Sequence, residues 1–349
     1  MRTVRLALLA AVGLAGSGCF SARYLAQATC GEIEILGSAR PIRSVVAEKR
    51  APARIARLLL SVRTIKAYGR ARGLTPTSSY ERYADLHRSA AVWVVQGCAP
   101  LAFDVRHWRF PIVGTIPYLG FFDEAAARRY AARLAREEGL DVDVRGASAF
   151  STLGWFHDPV LSTMIPSADD ALGELANGVL HESVHATLYI NDQSVFDESL
   201  ASFVADRLTL PWLEGVLGKD APETKAWAAA QAHYQARVER LHRAYVDLDA
   251  LYRSDASDGT KRAEKTRILE AVRQELGLAA PLNNAKLAGY KTYATGGPSF
   301  ERLLRACGGS WPRFLEALAT LRAADFGRPQ RDDFEAVIDA LAARVAAGR

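Results

Sequence analysis

From about residue 168 to the C-terminus the chain keeps a helical period almost without interruption. Apolar side chains recur at three- and four-residue spacing, and Gly or Pro falls where helices stop. The pattern predicts helices over 169–191, 195–208, 222–253, 259–276, 297–306, 309–325 and 330–346. Earlier the period changes. Residues 40–72 read as one or two helices closed by Gly69 and Gly73, and 74–90 is polar. Ala91 to Val95 and Trp108 to Tyr118 are β-branched and aromatic, punctuated by Gly97, Pro100, Pro111, Gly114 and Pro117. These form two or three short strands of a small sheet over about 91–150, joined by a helix over 123–138 and a strand from Asp141 to Val144. The expected class is α+β, mostly helical, with the small sheet in the N-terminal half.

The chain has 349 residues, of which 49% are apolar and 24% charged, so it can bury a core of real size. No repeat or Pro/Gly/Ser linker divides it. Residues 19–349 therefore read as one domain: the sheet, active-site helices over about 169–208 and a helical C-terminal part over about 217–349. The net charge of +5 is spread over Arg-rich helices rather than gathered in a block, which argues against nucleic-acid binding.

Residues 1–18 read as a signal peptide. Arg2 and Arg5 precede an apolar run from Leu6 to Gly16 that is too short for a permanent membrane span. The following Gly16-Ser17-Gly18-Cys19 resembles the lipobox of bacterial lipoproteins, with Gly16 where Leu is usual. That resemblance implies lipidation of Cys19, attachment to a membrane through the N-terminal lipid, and a place on the periplasmic side of a bacterial envelope; ordinary cleavage would leave a soluble periplasmic protein. Cys30, Cys98 and Cys307 show no metal-ligand spacing, and their spacing selects no disulfide pair.

Residues 181–185 read His-Glu-Ser-Val-His, the HExxH pattern, inside the helical segment from Asp169 to Ile190. On a helix, positions i and i+4 share a face, so His181 and His185 can reach one metal ion. Glu182 is turned about 100° away and can reach past the ion to a water molecule as its base. Leu172, Leu175, Ala176 and Val179 point to a core, while Glu174 and Gly178 share the histidine face, Gly178 leaving open space.

A catalytic zinc usually has three protein ligands. The third is expected from the next helix, after the turn cluster Asn191-Asp192-Gln193-Ser194. Ala201, Ser202 and Ala205 make the face around Glu198 small, so two antiparallel helices can approach closely there. Glu198 is therefore the expected third ligand. Asp197 is a rival pointing off that face, and Asp192 or Asp206 suits a partner for a histidine N–H.

With these residues in view, the chain resembles the gluzincin metallopeptidases, and more closely a bacterial family known as putative aminopeptidases, many of them lipoproteins. The likeness runs through Tyr24-Leu-Ala-Gln-Ala28, Ala39-Arg-Pro-Ile42, Ser79-Tyr80, Tyr83-Ala-Asp-Leu86, Phe110-Pro-Ile-Val-Gly114, Pro117-Tyr118, Ser151 to Phe156, Asp158-Pro159, Ser162-Thr-Met164, Phe196 to Ala201, Asn283-Asn-Ala285 and Thr292-Tyr293. It implies a zincin-like active-site helix, one Zn2+ held by His181, His185 and Glu198, Glu182 as base, and a peptide or protein as substrate. The chain departs from the family at Ser183-Val184, where Leu-Ala is commoner, and at Asp197, where Asn is usual.

Several roles stay open at the level of sequence. Tyr118, Tyr293 or His157 could supply a second donor to the developing oxyanion. The segment from Val144 to Phe156 could pair with a substrate backbone. Asp158 or Asp192 could bind a substrate amino group, so exopeptidase and endopeptidase action are not separated. A rival reading is a zinc-binding envelope lipoprotein without turnover, acting as a scaffold or chaperone; the intact Glu182 speaks against it.

Overall fold

A computed structural model describes residues 19–75, 78–110, 114–149, 157–294 and 296–348. The signal-peptide segment, residues 150–156 of the possible substrate-pairing stretch, and the side chains of Cys19 and Tyr293 lie outside the described residues. The elements run α1 (Cys19–Ser38), β1 (Arg40–Pro41), α2 (Ile42–Ala47), α3 (Ala53–Arg70), β2 (Arg82–Ala84), β3 (Val92–Cys98), β4 (Trp108–Phe110), β5 (Gly114–Ile116), β6 (Leu119–Phe121), α4 (Glu124–Glu137), β7 (Asp141–Ala147) and β8 (Val160–Leu161). Then come α5 (Ala171–Thr187), α6 (Ser194–Leu217), α7 (Pro222–Arg253), α8 (Asp258–Glu275), α9 (Asn284–Ala294), α10 (Gly297–Ala306), α11 (Trp311–Leu318) and α12 (Glu335–Ala347). The fold is mostly helical α+β. Among the described residues no helix is long and apolar enough to cross a membrane.

Three strands in the order β6-β3-β7 form an antiparallel sheet, with Val95 of β3 facing Leu119 on one side and Val144 on the other. Ala127, Tyr130, Ala131 and Leu134 of α4 pack against Val95, Leu119 and Phe121 of this sheet. Asp123 starts α4 by accepting the Ala126 N–H at 2.7 Å, a side-chain cap on an otherwise orphan donor. The outer edge of β7 pairs with no other described strand. A smaller sheet, β1-β2-β8, ties residues 82–84 in parallel to 160–161, which fixes the chain just ahead of α5.

The main core spans residues from Ile35 to Ala342 and is built around α5 and α6. Ala171, Leu172, Leu175, Ala176, Val179, Leu180 and Val184 give α5 a buried stripe at helical spacing. Gly173 lies in that stripe because α7 crosses there: a Cβ at 173 would stand 2.5 Å from the Trp227 ring. Phe196 at the start of α6 packs against Phe300, Phe326 and Phe334, so the C-terminal helices brace α6 from behind.

Several sequence expectations shift. The helix carrying the HExxH residues ends at Thr187, short of 191, because Leu188 turns extended at φ −146° and ψ 124°. The next helix continues past 208 to Leu217, through Pro211. Proline removes one backbone bond from a helix, but Trp212 and Leu213 are buried and hold the last turns in the core. The helix expected over 309–325 covers only 311–318, followed by a 3-10 turn at Ala323–Phe326, and the last helix starts at Glu335. α1, β6 and α9 lie where the sequence pattern announced no element. α9 owes its position to polar anchors: the Asn284 N–H donates to Asp141 Oδ2 at 2.9 Å, and the Asn284 side chain donates to the carbonyl of Ala99 at 2.9 Å.

Cys30 is exposed, Cys98 and Cys307 are buried, and none of the three forms a disulfide among the described residues. Burial pushes the Cys98 thiol up to about 12, which keeps it unreactive.

Candidate metal centre

α5 and α6 are closely packed against each other. Ala201 and Ala205 of α6 are fully buried, and Asn177 Nδ2 of α5 donates to Asp206 Oδ1 of α6 at 2.9 Å. The turn that joins them is clamped. Asp192, at φ +63°, accepts the Thr115 N–H of β5 on Oδ1 at 2.7 Å. The Gln330 N–H donates to the carbonyl of Asp192 at 2.6 Å, and Gln330 Nε2 donates to the carbonyl of Thr115. The Ile190 N–H donates to Asp197 Oδ1 at 2.9 Å. α6 therefore begins in one fixed place beside the last turns of α5.

That placement gathers the expected ligands. His181 Nε2 and His185 Nε2 are 3.2 Å apart. Glu198 Oε2 is 3.3 Å from His181 Nε2, and Glu198 Oε1 is 3.8 Å from His185 Nε2. Donors placed 2.0–2.1 Å from a tetrahedral ion stand about 3.3 Å from one another, so these separations are of the size that a single small divalent cation would need. Among the described residues, His181, His185 and Glu198 are the group whose donor atoms converge in this way, all within 4.8 Å.

The electrostatics suit a cation. Burial alone would raise the Glu198 carboxyl, but its bond to His181 and the neighbouring imidazoles hold it below the ordinary carboxylate range. Burial likewise opposes a proton on His181, yet Glu198 outweighs it and raises that imidazole. His185 is pushed down, chiefly by burial, which favours its neutral form. With a cation between them, both rings would serve as neutral donors and the carboxylate as the anionic one.

Glu182 lies on the wall of the same cavity of about 1030 Å³, and its Oε2 is buried with no hydrogen-bond partner among the described residues. A buried carboxylate oxygen without a partner costs free energy. Gly178 is on that wall too, but the space beside it is closed by the Met164 methyl, 3.3 Å from where a Cβ would sit.

Other sequence candidates separate. Asp197 spends Oδ1 on Ile190 and stands outside the donor set; burial pushes its carboxyl well above the ordinary Asp value. Asp192 is a correction: its carboxylate is committed to Thr115 and serves the turn, neither partnering a histidine nor lining the cavity. Asp206 sits close enough to His181 to favour its charged form. Nδ1 of His185 is buried without a partner among the described residues. Tyr118 lines the cavity, whereas His157 is exposed and does not. Asp158 is buried; its carbonyl accepts the Tyr80 N–H at 2.6 Å, away from the cavity wall.

The cavity adds residues that sequence reasoning did not single out. Glu32 of α1, Arg145 of β7, Tyr189 and Tyr234 of α7 all line it. Tyr189 stands edge-on to His185, ring centroids 6.4 Å apart at 74°. Burial and the nearby Asp197, Glu198 and Asp192 push its phenol well above the ordinary tyrosine value. Its position four residues after His185 was the one signal available in sequence. A second cavity of about 1410 Å³ adjoins the first and shares Asp170, Glu174, Asn177 and Tyr234 with it.

Comparison with known proteins gives one family. No curated protein matches the chain, and no solved structure does. A model of the family described as "Putative aminopeptidase" matches residues 23–333, which include α5, α6 and every residue of the site. The chain belongs to that family.

Proposed function

We propose that this chain is a zinc-dependent peptidase of a bacterial envelope, with His181, His185 and Glu198 as ligands and Glu182 as base. The observation that carries the reading is the convergence of two imidazole nitrogens and a carboxylate at separations of 3.2, 3.3 and 3.8 Å, beside a buried carboxylate oxygen with no partner. Family membership supports peptidase chemistry. When bound, zinc supplies Lewis-acid polarisation of the peptide carbonyl and acidifies water.

Glu182 accepts a proton from the water that attacks the carbonyl carbon, and returns it to the amine nitrogen as the C–N bond breaks. Three ligands rather than four leave a position open for substrate, which favours catalysis over a closed structural site. The two adjoining cavities, of about 1030 and 1410 Å³, exceed the usual small-molecule pocket of roughly 300–1,000 Å³ and suit a peptide of several residues. The free edge of β7, whose Arg145, Gly146 and Ala147 line the cavity, offers backbone groups to an extended substrate. The mature protein begins at Cys19 as a lipoprotein on the periplasmic side, folded as one metallopeptidase domain.

The test combines metal analysis of the purified protein with a peptide-library digest, with and without chelator. One zinc per chain and chelator-sensitive cleavage are expected, and whether cuts fall only after the first residue assigns exo- or endopeptidase action. Stoichiometric zinc with no cleavage would leave a binding protein; no metal would overturn the reading altogether.

A further inference from the structure

We propose that Tyr189 is the second hydrogen-bond donor to the carbonyl oxygen that gains negative charge when water adds to the scissile peptide. The inference rests on the peptidase reading and deepens it. Peptide hydrolysis at such a site calls for a preorganised donor aimed at the oxyanion. Four tyrosines line the cavity that holds the donor triad: Tyr24, Tyr118, Tyr189 and Tyr234. The Tyr24 hydroxyl already accepts the Gly120 N–H at 3.1 Å. Tyr118 and Tyr234 each already have an interaction partner. The Tyr189 hydroxyl has no hydrogen-bond partner among the described residues, and its ring packs edge-on against His185.

The backbone explains why this side chain is held ready. Continued helically, residue 189 would fall on the His185 face, but α5 stops at Thr187 and the extended Leu188 carries Tyr189 out past the last turn. The next residue is then tied down by the Ile190 N–H bond to Asp197 Oδ1 at 2.9 Å. Asp197 precedes Glu198 on the first turn of α6, so the segment that places the third ligand also places the phenol. A donor fixed this way needs little reorganisation when charge develops. No proton is transferred: the phenol O–H donates to the oxyanion, and the attacking water's proton goes to Glu182 and then to the amine nitrogen.

Tyr189→Phe removes only an oxygen that has no hydrogen-bond partner among the described residues, so the variant should fold. It is to be measured as the full-length, zinc-loaded protein on a peptide that the wild type cleaves. The expected result is a kcat lower by about 10²–10³-fold, with zinc content and KM unchanged. Calorimetry should find a phosphonate analogue of the cleaved peptide, an anionic mimic of the tetrahedral stage, bound at least tenfold more weakly. A kcat within twofold of wild type, or a kcat loss of that size in Tyr118→Phe or Tyr234→Phe instead, would overturn the assignment. So would a loss confined to KM or to zinc content. A wild-type protein that binds zinc yet cleaves no peptide sinks the peptidase reading itself, an outcome distinct from an unaffected Tyr189→Phe.

Discussion

Glu198 Oε2 lies 3.3 Å from His181 Nε2 although the two residues belong to different helices joined by a turn. The contact exists because Asn177 of α5 is bonded to Asp206 of α6, and because Asp192, Gln330 and Asp197 fix where α6 starts. A carboxylate and two imidazoles in such a place repay their burial only with a cation or a proton among them. This relationship makes the first prediction direct.

Replacing His181 or His185 by Ala, or Glu198 by Gln, removes one of three donors. Each variant should bind zinc at least 10–100-fold more weakly, the loss typical even of groups that merely support a ligand. Metal content after dialysis against a graded chelator series measures it. Wild-type affinity in Glu198→Gln would show that the carboxylate is not a ligand.

Glu182→Gln keeps shape and volume but cannot take a proton. Zinc content should stay at the wild-type level while kcat falls by roughly 10²–10⁴-fold, the usual contribution of a positioned base. Full activity in this variant would refute the base assignment.

Asp197 gives a pH-dependent prediction. Its carboxyl is buried and its pKa lies well above the ordinary Asp value. The unfolded chain therefore ionises this residue first as pH rises, and the native state loses stability between the ordinary value near 3.9 and the raised one. Asn at 197 keeps an oxygen for the Ile190 N–H and carries no charge. Chelator-treated Asp197→Asn should match wild type in thermal melts near pH 4 and become the more stable protein as pH rises. Asp197→Ala instead orphans the Ile190 donor and should cost about 1–3 kcal/mol at every pH. An Asn variant that loses ground on the wild type with rising pH contradicts the argument.

The α5–α7 crossing gives a stability prediction. Trp227 is 1% exposed and its ring rests on Gly173. Trp227→Ala should destabilise by about 3–5 kcal/mol. Gly173→Ala should cost about 1–3 kcal/mol by overpacking, since its Cβ would meet the ring at 2.5 Å. Urea unfolding of both variants checks it, and a neutral Gly173→Ala would mean that α7 can slide.

The helical majority and the donor triad were legible in sequence for a local reason. A buried stripe from Leu172 to Val184 and a His pair four residues apart both follow from the 3.6-residue period, which needs no knowledge of the rest of the chain. Glu198 could be selected because the small face of Ala201, Ser202 and Ala205 is itself periodic. The ends of helices were less legible. Pro211 reads as a stop, yet the buried Trp212 and Leu213 carry α6 on to Leu217; tertiary burial outweighed the lost backbone bond. α9 was missed because what anchors it is a set of hydrogen bonds from Asn283 and Asn284 to Asp141, Val142 and Ala99, partners far away in sequence.

The amino-acid sequence by itself determined which groups could meet a metal, because spacing along one helix sets which face a side chain takes. Only the tertiary structure decided what surrounds them. The assignment of Asp192 to Thr115, the arrival of Tyr189, Glu32 and Arg145 on one cavity wall, and the closing of the space at Gly178 by Met164 depend on contacts between segments far apart in the chain. Such contacts are set by packing and by the pairing of buried polar groups, which leave no periodic trace in any one stretch of residues.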